Sequence, residues 1–217
     1  MSLTLNRRHV MSLAGAAATG LALSGNVAFA QSRAAEGSVD AAKVAEPGKL
    51  KEMIYGKEDA PVTIVEYASL TCPHCADFTL NTFPKIKEKY IDTGKARLIF
   101  REFPFDPRAT AAFMLARCAP EERYFPMVNV FFQQLQQWAM AQDGEAALLQ
   151  IAKLAGFTQE SFQACLTNQE LLDDINGVRE RGSSYGVNAT PTFFINGQKY
   201  AGSLSVDDMS AIIDKLL

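Results

Sequence analysis

The sequence predicts an α/β fold in which a long helical stretch interrupts a small set of strands. Three observations carry this reading. Residues 61–69, "PVTIVEYAS", are β-branched and apolar and run straight into Cys72-Pro73-His74-Cys75. Residues 106–185 place apolar side chains at three- and four-residue spacing and contain no convincing strand. Residues 191–202, "PTFFINGQKYAG", read as two short strands turning at Asn196-Gly197, a strong two-residue hairpin signal. With 217 residues, 48% of them hydrophobic and 21% charged, the chain suffices for one folded domain carrying an insertion.

The first thirty residues differ from the rest. Arg7 and Arg8 give a positive start, an apolar stretch rich in Ala and Gly follows, and Ala28-Phe29-Ala30 supplies a small-x-small cleavage site. Residues 1–30 therefore read as a cleaved export signal, with Gln31 as the mature N-terminus. The adjacent arginines resemble a twin-arginine signal, while His9 and Val10 match that consensus only loosely, so the general secretory route stays open. Gly and Ala leave the stretch short of the roughly 20 strongly apolar residues that a membrane span needs. No cysteine precedes Cys72, which argues against a lipid anchor. The formal charge is −3, and it becomes −5 once the signal leaves with two arginines and no acid. No basic stripe appears, so nucleic acid is not an expected partner. The expected compartment is outside the cytoplasm, where disulfides persist.

Residues 31–59 are expected to be a flexible lead-in, with a short helix or arm over 49–55 after Pro47-Gly48. The first part of the folded domain is expected over 60–105. In it the strand at 61–69 leads to a helix from about Pro73, a residue favoured in a first helical turn. Pro84 should kink or split that helix, Gly94 should cap it, and 96–103 should form a second buried strand. The helical insertion spans 106–185, with Trp138 and the Phe-rich run at 130–132 as its core. The second part, 186–217, holds the hairpin and a last helix opened by Ser205 with Asp208 and running to Leu217.

Strand, Cys-x-x-Cys, helix, strand, helical insertion, hairpin and helix together match the thioredoxin plan with an inserted all-helical subdomain. "EYASLTCPHC", the insertion and "VNATPTFFINGQ" resemble the DsbA family of periplasmic thiol–disulfide oxidoreductases over residues 62–217. The resemblance implies an enzyme that introduces disulfide bonds into exported proteins and needs no cofactor. Its substrates would be unfolded or reduced exported proteins, and a DsbB-like membrane quinone reductase would reoxidise it. Known periplasmic isomerases are dimers with a separate N-terminal dimerisation domain. The roughly 30 residues before the fold are too few for one, so a monomer is expected, with a short arm-mediated oligomer as the alternative.

The chemistry follows from placement. Cys72 at a helix N-terminus meets unpaired N–H groups that stabilise a thiolate, and His74 can add to this. Cys75, one turn on, should be buried. A stable Cys72 thiolate is a good leaving group and favours the reduced protein, which makes the oxidised form a strong oxidant. The Cys-Pro-His-Cys spacer is similar to that of the oxidising member of the family. By resemblance, Pro191 is the cis-proline opposite the cysteines, where substrate backbone pairs, and Thr190 faces the thiols. Threonine there departs from the valine of the best-known oxidase and is similar to several isomerases. Alternation puts Glu66 on one face with Val62 and Ile64. The family's acid at this position implies proton exchange with Cys75, whereas the bland alternative is a strand-end glutamate reaching solvent.

Committing Cys72 to Cys75 leaves Cys118 and Cys165 to form a structural disulfide between two insertion helices, the alternative being two separate buried thiols. No metal is expected. Zinc would need Cys118 and Cys165 as further ligands, 47 residues apart, and haem attachment needs a histidine where Ala76 stands. A purely structural Cys72–Cys75 bridge closes too small a loop to restrict the unfolded chain much. The remaining rivals are an isomerase or reductase on the same fold and, from another class, a redox-independent chaperone or metal-binding module.

Overall fold

A computed structural model describes residues 33–217; the expected export signal lies outside the described residues. Six strands form one mixed sheet: β1 (Gly37–Ser38), β2 (Met53–Tyr55), β3 (Val62–Ala68), β4 (Ala96–Glu102), β5 (Thr192–Ile195) and β6 (Gln198–Ala201). Their order is β1-β6-β5-β3-β4-β2. Strand β3 is central, parallel to β4 and antiparallel to β5, and its residues are buried except for half-buried Thr63. Two-sided burial is why this segment reads as a continuous apolar run. The β5–β6 turn is Asn196-Gly197, both at positive φ, and Asn196 Oδ1 accepts the Thr63 N–H at 2.8 Å.

Residues 33–59 do not form the expected flexible lead-in. They supply both sheet edges, with β1 pairing β6 and β2 pairing β4. Between these strands lies the short helix α1 (Ala41–Ala45), which buries Val44. Partners far along the chain impose this order. Arg101 of β4, fully buried, donates to the Val44 and Glu46 carbonyls at 2.7 and 2.9 Å and to both oxygens of Glu52. At the hairpin, the Val39 N–H reaches the Gly197 carbonyl at 2.9 Å, and a β-carbon on residue 197 would collide with the Val39 carbonyl. Small polar side chains give no local sign of such anchoring.

The segment after the cysteines stays helical from Pro73 to Ile91 instead of splitting at Pro84. It runs as α2 (Pro73–Asp77), a π-turn (Phe78–Thr82), α3 (Phe83–Ile86) and a second π-turn (Lys87–Ile91). Proline lacks the N–H of the normal ladder, and the wider turns on either side carry the chain past it. Gly94 then turns the chain at φ 75°. Helices α4 (Pro107–Cys118), α5 (Tyr124–Gln133), α6 (Leu135–Ala139), α7 (Gly144–Leu154), α8 (Gln159–Leu166) and α9 (Gln169–Ser184) occupy the stretch between β4 and β5. Trp138, Phe131 and Phe132 are buried there. The last helix, α10 (Val206–Asp214), is capped by the Ser205 hydroxyl and stops short of the chain end.

The main core joins the Cys75 side of the sheet to the insertion. A smaller one on the opposite face gathers Val44, Val65, Tyr67, Ile99, Phe103, Val178 and Phe194 beneath α1 and α9. No helix among the described residues is long and apolar enough to cross a membrane.

Candidate active site

Strand β3 ends at Ala68, and a tight turn, in which the Cys72 N–H bonds to the Ser69 carbonyl at 3.1 Å, delivers Cys72 to the N-cap of α2. Pro73 occupies the first helical position, where its missing N–H costs nothing. Cys72 is half-buried and Cys75 fully buried, and both are free thiols in this structure. The peptide bond between Thr190 and Pro191 is cis, and it brings the Thr190 carbonyl to 3.2 Å from Cys72 Sγ. The turn before α2 and the loop before β5 thus meet at the sulfur. They can do so because β3 and β5 are hydrogen-bonded neighbours, with Tyr67 opposite Thr192.

The two thiols are driven apart in acidity. Cys72 is lowered to about 5, chiefly by a hydrogen bond from the Cys75 thiol, with further donation from the Thr190 hydroxyl and the backbone N–H groups of Cys75 and His74. Partial burial opposes this, and so does the Thr190 carbonyl, which only a protonated thiol can approach as donor. The donors prevail. Burial pushes Cys75 well above the usual thiol range, and the negative charges of Cys72 and Glu66 add to the effect, while the Ser69 N–H offsets part of it. His74 is exposed, and what it supplies to the sulfur is its main-chain N–H.

Glu66 lies in β3 between Phe100 of β4 and Phe193 of β5, its partners across the sheet. It is 2% exposed, and its Oε1 has no hydrogen-bond partner. Burial, aided by the negative charge on Cys72, pushes its carboxyl up to about 8. Such a group can carry a proton near neutrality. Burial and the nearby Glu66 push the Tyr55 phenol up to about 12. Cys118 and Cys165 are bonded to each other, tying the end of α4 to α8. Ser69 and Tyr55 were not expected at the site. Ser69 acts through its backbone, which carries no residue signature, and Tyr55 reaches Glu66 only because β2 pairs with β4.

Residues 49–215 match the thioredoxin family model. A Rickettsia conorii chain bearing the name protein-disulfide oxidoreductase is 35% identical, over 76% of this chain and 60% of its own length. The chain therefore spans about three-fifths of that relative. A Bacillus anthracis chain bearing the name disulfide bond formation protein D is 28% identical, over 75% of this chain and 76% of its own. The crystal structure of Wolbachia pipientis alpha-DsbA1 superposes with a TM-score of 0.73 at 36% identity, covering 82% of this chain and 96% of that one. The cysteine pair at a helix start, the cis-proline loop beside it and these matches agree: the chain belongs to the thioredoxin family and, within it, to the DsbA proteins.

Proposed function

We propose that this chain is a periplasmic thiol–disulfide oxidoreductase that introduces disulfide bonds into exported proteins through Cys72 and Cys75. The observation that carries the proposal is the divergence of the two thiols, Cys72 lowered to about 5 while Cys75 is pushed up. A stabilised Cys72 thiolate favours the reduced protein, so the oxidised form tends to pass its disulfide on.

A substrate thiolate attacks the Cys72 sulfur of the oxidised pair, breaking the Cys72–Cys75 bond and forming a mixed disulfide. Cys75 leaves with the bonding electrons and takes a proton, which Glu66 supplies. A second substrate thiolate attacks the substrate sulfur of the mixed disulfide and expels Cys72 as thiolate. Two electrons have then passed from the substrate dithiol to the enzyme. The Thr190–Pro191 loop holds the substrate backbone across Cys72, and the Cys118–Cys165 bridge is a structural tie. A DsbB-like membrane quinone reductase restores the disulfide, and the protein works as a monomer.

The test equilibrates the protein with glutathione, follows oxidation of a reduced dithiol peptide and measures mass in parallel. A potential near the family oxidant's, about −120 mV, is expected, and one near thioredoxin's, about −270 mV, overturns the proposal. Cys72→Ser abolishes peptide oxidation. Full function in that variant would instead favour a redox-independent chaperone.

A further inference from the structure

The turn that carries Cys72 is tied to the helical insertion by one carboxylate. Thr71, immediately before Cys72, donates its hydroxyl to Asp106 Oδ2 at 2.5 Å. The other carboxylate oxygen, Oδ1, accepts the Ala109 N–H at 2.9 Å and so caps α4. The Asp106 carbonyl accepts both the N–H and the hydroxyl of Thr110, each at 3.1 Å. Asp106 is therefore held from the insertion side and faces the redox turn with its one remaining oxygen.

The chain of bonds continues inward. Ser69 Oγ lies 3.2 Å from Thr71 Oγ1. A hydroxyl has one proton to give and an ionised carboxylate has none, so Thr71 donates to Asp106 and Ser69 donates to Thr71. The series Ser69, Thr71, Asp106 thus runs in one direction and ends on a charge, which strengthens its last bond. Ser69 is also the residue whose N–H faces the Cys75 sulfur and whose carbonyl holds the Cys72 N–H. One short turn supports both sulfurs.

We propose that Asp106 is a positioning residue for the thiol pair, its carboxylate acting through Thr71 to hold the 69–72 turn so that the backbone donors stay aimed at the two sulfurs. The proposal rests on reading Cys72 and Cys75 as a redox pair. It assigns the helical insertion a part in setting the reactivity of a site otherwise built from β3, α2 and the loop before β5. Asp106 touches neither sulfur.

The test uses Thr71→Val, which keeps the side-chain shape and leaves the α4 cap intact, and Asp106→Asn, which keeps the cap and removes the charged acceptor. Thr71→Ser serves as the conservative control. Cys72 ionisation is followed by ultraviolet thiolate absorbance, the equilibrium with glutathione is measured, and urea unfolding reports the fold. Both variants should raise the Cys72 titration midpoint by about half a pH unit to one and make the pair about three- to tenfold less oxidising. The double variant should show no more than the larger single effect, because both break one connection. Thr71→Ser should restore the parent values.

Purely structural damage would lower stability without moving the midpoint, and that result overturns the proposal. A through-space charge effect would lower the midpoint in Asp106→Asn and leave Thr71→Val unchanged, which overturns it equally. Additive effects, or failure of Thr71→Ser to restore, do the same. A parent protein with no acidic thiol titration would overturn the redox reading itself, and this proposal with it.

Discussion

Glu66 on β3 and Glu102 on the neighbouring β4 are both sealed from solvent, at 2% and 0% exposure, and each has one oxygen without a partner. Their other surroundings are opposite. Glu102 receives Arg117 through Nε at 2.6 Å and Nη2 at 2.5 Å, and the Tyr124 hydroxyl at 2.7 Å. Arg117 is itself held over the Tyr124 ring and donates to the Lys51 carbonyl. Glu66 has phenylalanines beside it across the sheet and no cation near enough to count among the causes of its shift. A buried carboxylate with a matched cation joins β4 to the insertion. One without a cation keeps its proton until about pH 8.

The largest expected effect comes from turning the first kind of site into the second. Arg117→Met leaves Glu102 buried and unpaired, and should cost about 3–5 kcal/mol at neutral pH in urea unfolding. A loss no larger than the fraction of a kcal/mol expected of an exposed ion pair, about 0–1 kcal/mol, would break the comparison.

A similar magnitude, with opposite sign, is expected at Glu66. Its folded value of about 8 lies above the ordinary 4.5, so its own contribution to the stability of the reduced protein falls as pH rises from about 4.5 to 8, against the gain from Cys72, which is lowered to about 5. Glu66→Gln removes that penalty. The variant should be more stable than the parent by on the order of 4 kcal/mol above pH 8, with the difference vanishing toward pH 4.5. Stopped-flow oxidation of a dithiol peptide should slow in the same variant. If urea unfolding of parent and variant runs parallel across that range, Glu66 is solvated and the contrast fails.

The smallest effect is at Tyr124. Tyr124→Phe removes one hydrogen bond to Glu102 while Arg117 stays, and should cost about 1–2 kcal/mol with little pH dependence. A loss as large as that of Arg117→Met would mean that the hydroxyl, not the cation, holds Glu102.

What could be read from the chain alone was whatever local pattern encodes. Whereas the roles expected of Thr190-Pro191 and Glu66 rest on the resemblance to the DsbA family, Cys72-Pro73-His74-Cys75 after an apolar strand and the Asn196-Gly197 hairpin each carry their meaning within about ten residues. The helical spacing of 106–185 is of the same kind. Features built from side chains far apart in sequence could not be read. Arg101 meets carbonyls 55 and 57 residues away, and this orders an arm whose composition suggests none. The pairing of Glu102 with Arg117 and Tyr124, and of Thr71 with Asp106, needs the sheet and insertion assembled first. Pro84 shows the opposite limit, where a strong local rule met a helix able to absorb it in wider turns.

The shortness of the two outer strands has a consequence for what can be added to the sheet. β1 is two residues long and β2 three, so neither edge of the sheet offers a run of free backbone on which a stray segment could pair. Extended polypeptide seeking strand partners would find little at the margins. The N-terminal arm therefore acts as a guard that closes both margins of the sheet to strand addition.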